Sequence, residues 1–428
     1  MNKTWGIGIA GLGTVGSGLL DILSTRPNFA PAGGVAKVVG VSARSRSRPR
    51  PFDISKLAWF DDPTALALSP EVDLFIELIG GSDGPAKAAV EAALKAGKPV
   101  VTANKALIAE HGLELARLAE STGAALVFEA AVMGGVPAVK MLREGLVAEE
   151  VDSLAGILNG TCNYILTQME NTGASFADVL AEAQRLGYAE ADPTMDVGGF
   201  DAAHKVSILA ALAFGCAPNY AAADIEGIDQ VELLDIRLAH DLGYRIKLIA
   251  SATREEGGGS VRVHPTLCPL DHPLAQAGGA LNGLFIEGRR IGRIYLQGPG
   301  AGAGPTAAAV AADIADVMAG ASRPVFQRAA SDLSQMKAVD PGHRAGKAYV
   351  RILVRDKPGV IAAISEALAK AGVSIDSILQ RPVDASGVVP IVLTTQPASE
   401  AAVADAVDHI AALDAVVERP RMFRIART

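Results

Sequence analysis

Residues 187–210 read GYAEADPTMDVGGFDAAHKVSILA, so a run of acids leads directly into an apolar stretch. Asp201 and Lys205 stand i and i+4, which stacks them on one face of a helix, while Val206, Leu209 and Ala210 supply the apolar face. Taken singly, such a pair is an ordinary surface ion pair with an aspartate near the helix start. Density changes that reading. Glu190, Asp192, Asp196, Asp201 and Lys205 gather at one helix start beside a hydrophobic run, where burial shifts proton affinities toward acid–base work. His204 is expected to face elsewhere on the helix and is not the base.

A second chemistry is written near residue 11. Gly11-Leu12-Gly13-Thr14-Val15-Gly16 fits G-x-G-x-x-G between an expected strand and an expected helix. In that context Gly11 allows the tight turn, Gly13 lets the main chain approach a pyrophosphate, and Gly16 lets helix and strand pack closely. The helix N-terminus supplies positive potential. After the second strand, where an acid would hold a ribose diol, the chain has Arg44. Its guanidinium suits a 2′-phosphate, which favours NADP and leaves NAD open. The alternative for the tract Arg44, Arg46, Arg48 and Arg50 is a solvated basic loop.

These groups need a scaffold. Strands are expected over 5–10, 36–42, 72–79, 99–102 and 125–128, alternating with helices over 16–24 and 85–96. That alternation predicts an α/β fold with a Rossmann-like, doubly wound parallel sheet over residues 1–130. After residue 130 a glycine-rich turn feeds a helix, and residues 131–299 form a second, α+β unit for catalysis and dimerisation, with helices over 176–186 and 201–214. Residues 298–304 (GPGAGAG) open a helix over 305–318 that returns to the first unit, completing it with residues 300–325. A linker over 326–346 follows. Residues 347–428 repeat strand 348–354, helix 358–370, strands 373–380 and 388–395, helix 399–412 and strand 415–424, the ferredoxin-like βαββαβ order. With Asp356-Lys357-Pro358-Gly359-Val360 at the first turn, this part resembles an ACT domain, a small amino-acid-sensing module.

Composition excludes several functions. At 428 residues the chain exceeds one core, half of it is hydrophobic, and 45 glycines suit tightly turned α/β units. A net charge of −8 and the lack of a basic stripe interleaved with aromatics argue against nucleic acid. Cys162, Cys216 and Cys268 are too scattered for a disulfide framework or a metal pair, so reduced thiols and a cytoplasmic location are expected. Residues 5–20 hold six glycines and run into Asp21 without a cleavage pattern, unlike a signal peptide. The later apolar run 206–217 is too short to cross a bilayer, which takes about 20 residues.

Seven segments in order, GLGTVGSG, ELIGG, VVTANKALIA, FEAAVMGGVPAVK, GILNGTCNYIL, GYAEADPTMDVGGFDAAHK and PGAGAGPTA, resemble the homoserine dehydrogenase family over residues 5–320. With the ACT-like end, the architecture is similar to the monofunctional bacterial type. Gly198 stands where the family carries an acid, and Cys162 where threonine is usual.

The resemblance implies reversible NAD(P)-dependent reduction of L-aspartate 4-semialdehyde to L-homoserine, on the route to threonine, methionine and isoleucine. It implies a nicotinamide-binding strand end at Thr102, Asn104 and Lys105, with Lys105 projecting into the cleft and Gly302 near the cofactor. It places the amino-acid substrate on Gly187, Glu190 and Asp201, where a carboxylate suits an α-ammonium group. Catalysis falls to Lys205 and to Lys105, which can give or take the alcohol proton. A monovalent cation such as sodium is implied on the Glu129 carboxylate and the carbonyls of Val132, Gly134 and Val136. L-threonine is implied as an allosteric ligand, and a homodimer or homotetramer as the assembly. Two other readings stay open from the residues alone: a non-catalytic amino-acid sensor, and a dehydrogenase acting at an α-carbon.

Overall fold

The computed structural model describes residues 3–30, 34–381 and 387–426. The first unit runs β1 (Thr4–Ala10), α1 (Thr14–Thr25), β2 (Val35–Ser42), β3 (Ala58–Phe60), α2 (Pro63–Leu68), β4 (Leu74–Glu77), α3 (Pro85–Lys95), β5 (Val100–Thr102), α4 (Lys105–Thr122) and β6 (Leu126–Val127). Its sheet has the order β3-β2-β1-β4-β5-β6, and all five pairings are parallel. Order reverses between β1 and β4, so the crevice at their carboxyl ends is the ligand position for such a sheet. Strands buried on both faces are continuously apolar: Ile7, Ile9, Leu74, Phe75 and Ile76 are fully buried.

Helix α4 had no clear signature in the sequence, because Gly112 interrupts it and a mid-helix glycine costs about 1 kcal/mol against alanine. The reason for that glycine is tertiary: a Cβ there would lie 2.8 Å from the Phe326 ring.

The second unit follows: α5 (Ala138–Lys140), continued by a π-turn over Met141–Gly145, then β7 (Val151–Ile157), α6 (Gly160–Thr172), α7 (Phe176–Arg185), α8 (Thr194–Val197) and α9 (Phe200–Phe214). Then come β8 (Asp224–Ile225), α10 (Leu233–Asp241), β9 (Tyr244–Glu255), β10 (Gly258–Pro269), α11 (Pro273–Gln276), β11 (Leu281–Gly288) and β12 (Gly292–Pro299). Helix α12 (Ala303–Met318) returns to α1, with Gly18 letting the two backbones meet: a Cβ there would sit 2.6 Å from the Ala303 carbonyl oxygen.

The last unit holds β13 (Ala345–Gly346), β14 (Ala348–Arg355), α13 (Val360–Lys370), β15 (Ile375–Gln380), β16 (Val388–Thr395), β17 (Ala398–Ser399), α14 (Glu400–Ala411) and β18 (Arg421–Ile425). The final strand is shorter than the expected 415–424, since residues 413–415 form a bend and turn and Val416 makes only an isolated bridge to Val354. Its sheet is not separate. The order β12-β11-β7-β9-β10-β18-β14-β16-β15 fuses the two units, β18 pairing parallel to β10 through Thr266 with Arg424 and Leu267 with Ile425. Fully buried Arg351 reinforces the seam, its Nε 2.7 Å from the buried Asp235 carboxylate of α10.

Candidate functional site

The glycine loop takes the roles its spacing required. Gly11 has φ +104° and its amide donates to the Ser42 carbonyl at 2.9 Å. A Cβ on Gly16 would fall 2.2 Å from the Gly11 carbonyl oxygen, whereas one on Gly13 would meet nothing within 4 Å. Gly13 therefore faces open space at the N-cap of α1, where no side chain caps Thr14, Val15 and the other first-turn amides. Arg44, two residues past β2, is exposed. The rest of the tract is not uniformly solvated. Arg50 donates to the carbonyls of Ser45, Arg46 and Arg48 and lies 5.6 Å over the Trp59 ring, which folds the loop on itself.

Buried Glu77, at the end of β4, organises the neighbouring strand end. Its carboxylate accepts from the Ile79 and Gly80 amides at 2.7 and 3.0 Å and from Thr102 Oγ1 at 2.5 Å. Thr102 Oγ1 accepts in turn from the Asn104 amide. Asn104 caps α4 by accepting from the Leu107 amide at 3.1 Å, and its Nδ2 donates to the Gly81 carbonyl. Lys105 is thus the first helical residue, where the helix dipole disfavours a cation. Its compensation comes from 96 residues away: Lys105 Nζ lies 3.1 Å from Asp201 Oδ1.

Asp201 is the centre of the site. In the first turn of α9, it takes Lys205 Nζ on Oδ2 at 2.7 Å, and Asn159 Nδ2 donates to the same oxygen at 2.8 Å. Lys205 Nζ also donates to the Leu158 carbonyl at 2.8 Å. Asn159 caps α6 through the Cys162 amide and reaches Asp196 Oδ1 at 2.7 Å, so one carboxamide ties both acids to the helix start. Burial alone would raise the Asp201 carboxyl, but the Lys205 and Lys105 ammoniums override it and hold the group well below the usual carboxylate range. Lys105 is pushed up, chiefly by Asp201. Asp196 is also pushed up, by burial and by the Asp201 charge.

Of the acids expected to crowd here, Asp192 turns away to bond Thr194, and Glu190 is exposed. The main chain around Glu190 is nonetheless fixed: Gln184 Nε2 donates to its carbonyl, Thr161 Oγ1 to that of Tyr188, and Tyr164 stacks on Tyr188 at 4.6 Å. Gly187 supplies φ +79° at the turn into this loop. His204 faces elsewhere, stacked on Tyr220 and 3.2 Å from Glu110 of α4. Sequence reading missed Glu77 and Asn159 as site residues. Both lay inside quoted motifs, and a polar residue directly at a strand end was the available signal.

Glu129 is buried, its carboxylate accepting from the Val139 and Lys140 amides at 3.1 and 2.7 Å. Burial and the nearby Asp313 push it up to about 7, and burial pushes Asp313 up to about 6. The loop that follows turns through Met133 (φ +58°) and Gly134 (φ +50°). The Val136 carbonyl accepts from the Ala138 amide, whereas those of Val132 and Gly134 accept no main-chain amide among the described residues. A buried carboxylate disfavoured as an anion, beside uncommitted carbonyl oxygens, is a donor set that fits a hard cation. Gly302, at φ +115°, is the N-cap of α12 beside this loop.

No helix among the described residues is long and apolar enough to cross a membrane. The homoserine dehydrogenase NAD-binding family matches residues 11–129, the homoserine dehydrogenase family residues 137–315, and the ACT family residues 348–410. Among curated proteins, the homoserine dehydrogenase of Pseudomonas aeruginosa is 42% identical over 96% of both chains. That of Neisseria gonorrhoeae is 41% identical over 99% of both. A homoserine dehydrogenase structure from Thiobacillus denitrificans superposes with TM-score 0.92 at 40% identity, covering 99% of this chain and 98% of that one. A hyperthermophilic archaeal homoserine dehydrogenase in complex with NADPH superposes with TM-score 0.64 at 28% identity, over 73% of this chain and 97% of that one. With its dinucleotide loop, its two lysines on one buried aspartate and relatives matching end to end, the chain belongs to the homoserine dehydrogenase family, NAD(P)-dependent oxidoreductases.

Proposed function

We propose that the paired lysines on Asp201 are the proton-handling centre for the interconversion of L-aspartate 4-semialdehyde and L-homoserine. The observation that carries this is the Lys105–Asp201–Lys205 bridge, built on a buried aspartate, at the mouth of the dinucleotide crevice. The bound nicotinamide supplies the hydride for reduction and takes it back for oxidation. Lys205, held by Asp201 and the Leu158 carbonyl, is oriented to give its proton to the oxygen that gains charge at the aldehyde, and Lys105 adds a second positive charge. Substrate entry is a competition. Its ammonium has Glu190 and Asp196 as acceptors, since Asp201 is already shared by both lysines and Asn159. In this reading Gly187 shapes the Glu190 turn, and Thr102 and Asn104 set Lys105.

The NADP preference is assigned to Arg44, and the monovalent cation, sodium or potassium, to Glu129 with the Val132, Gly134 and Val136 carbonyls. Residues 1–130 with 300–325 bind the cofactor, 131–299 the substrate, and 347–428 regulate. L-Threonine is the proposed regulator, because a cavity of about 460 Å³ lies at Asp356, Lys357 and Gly359, where no side chain caps the start of α13 and a carboxylate could do so. The assembly is read as a homodimer or homotetramer and the location as the cytoplasm, where the three free, buried cysteines stay reduced. The decisive experiment is Lys205→Ala, assayed for homoserine oxidation and for NADPH binding. Turnover is expected to fall by about 10²–10⁴-fold, with NADPH affinity kept. An equal loss of NADPH affinity would remove the lysine from the reaction.

A further inference from the structure

Asn282, second residue of β11, is 1% exposed, and neither Oδ1 nor Nδ2 of its carboxamide has a hydrogen-bond partner among the described residues. Two orphaned polar atoms in one buried side chain are costly, and such groups persist where another state of the protein uses them.

The main chain leading into it is fixed. The residue before it is tied to α6, Asn163 Nδ2 donating to the Leu281 carbonyl at 3.0 Å and to the Ala277 carbonyl at 2.9 Å. Buried Lys247 fixes Asn163 from behind, with Nζ 2.8 Å from Asn163 Oδ1. The start of β11 is therefore tied to the helix whose cap, Asn159, holds Asp196 and Asp201.

What lies against it is main chain. A Cβ on Gly300 would fall 1.9 Å from Asn282 Oδ1 and 2.6 Å from Nδ2, so the glycine-rich loop presses directly on the amide. On its other side, a Cβ on Gly134 would lie 2.6 Å from the Gly300 carbonyl oxygen, and the Gly135 amide donates to the Pro299 carbonyl at 3.2 Å. Two residues later Gly302 starts α12, which packs on the dinucleotide helix α1. The loop is thus clamped between a donor–acceptor pair on the substrate side and the Glu129 loop, and it leads into the cofactor side.

We propose that Asn282 is a positioning residue for the dinucleotide: its carboxamide exchanges hydrogen bonds with the main chain of residues 300–302 when that loop settles on the bound cofactor. The inference rests on the reading that this loop lies at the cofactor. Before binding, the polar atoms of Asn282 are a cost. After binding, they hold the loop.

That difference in sign is testable with Asn282→Leu in the full-length enzyme. A leucine of similar size removes both orphaned atoms, so the cofactor-free protein melts at the same or a higher temperature. The NADPH-induced rise in melting temperature shrinks, and KM for NADPH rises tenfold or more while kcat changes less than threefold. Gly300→Ala is the second variant: its Cβ displaces the loop from the amide, and the same rise in KM is expected. A cofactor-free Asn282→Leu protein that melts lower, or an unchanged KM and NADPH-induced shift in both variants, overturns the proposal. If the wild-type enzyme gives no NADPH-induced shift, the cofactor reading of the loop fails instead.

Discussion

Asp201→Asn isolates the charge at the centre of the site while keeping its shape. Lys205 Nζ lies 2.7 Å from the carboxylate with only 12% of its side chain exposed, so the variant leaves a nearly buried ammonium without its counter-ion. Breaking a buried pair on one side costs about 3–5 kcal/mol. The asparagine oxygen still accepts from one lysine and returns about 0.5–1.5 kcal/mol. Lys105, 41% exposed, turns to water, so its arm adds at most about 1 kcal/mol. The net loss is about 1.5–5.5 kcal/mol, which for a unit of this size lowers the melting midpoint by about 3–22 °C. The pH dependence carries the sharper test. A carboxyl depressed in the folded state contributes stability that is complete above its unfolded value and is lost only as pH falls through the folded one. The gap between wild type and variant, measured by thermal melts, is therefore flat from pH 8 to pH 5 and closes only in stronger acid. Asp201 also holds the Lys105 pKa up, so in the variant the alkaline limb set by Lys105 moves to lower pH. A gap that narrows between pH 8 and 5, or a variant as stable as wild type, refutes the bridge as the site's electrostatic centre.

Arg44→Ala is expected to raise KM for NADP about tenfold and leave NAD nearly unchanged, because only NADP offers a phosphate to the guanidinium. Equal effects on both cofactors would move the discrimination to Arg46 or Arg48. Glu129 and Asp313 are pushed up to about 7 and about 6 by burial, so the native state holds protons that the unfolded chain has released. Stability from these groups is complete below the unfolded values and falls as pH rises through 6 and 7. Sodium or potassium chloride, against tetramethylammonium chloride at equal ionic strength, should raise the melting midpoint more at pH 8 than at pH 5. An identical increment at both values would argue against a cation on Glu129. Threonine is expected to inhibit the intact enzyme and not a chain ending at Gly346. Gly359→Ala, strained at φ +91° beside the α13 cavity, should weaken inhibition without lowering basal activity, and unchanged inhibition in both would leave the ACT-like unit with assembly alone.

The parts of this architecture that were legible in the sequence are those written at short range. Gly11, Gly13 and Gly16 announce themselves because a turn, a close approach and a packing contact each demand glycine within six residues. Asp201 and Lys205 do so because helical spacing stacks them. Lys105 reached the site only through family resemblance, since a lysine at the start of α4 has no local reason to exist. Its reason is Asp201, and a contact of that separation leaves no periodic trace. Glu77 and Asn159 were illegible in the same way, because the side chains that make them site residues, Thr102 for the first and Asp196 and Asp201 for the second, are distant in sequence, and Asn282 has no hydrogen-bond partner among the described residues to betray it. The fusion of the two sheets was hidden as well: the pairing of β10 with β18 involves two residues on each strand, too few to mark either sequence.

That pairing bears on how the protein is made. Strand β10 leaves the ribosome about 150 residues before β18, the neighbour that covers its edge, and β18 follows every other strand of the sheet. Through that interval β8 covers the outer edge of the β9–β10 hairpin only at Arg262 and Val263, and the stretch at Thr266 and Leu267 that β18 later pairs stays open, a template for strands of other nascent chains. The last unit acts, in synthesis, as a tethered cap for the catalytic sheet, and raising the distance or slowing the arrival of β18 would be felt first as loss of soluble yield and only afterwards as loss of regulation.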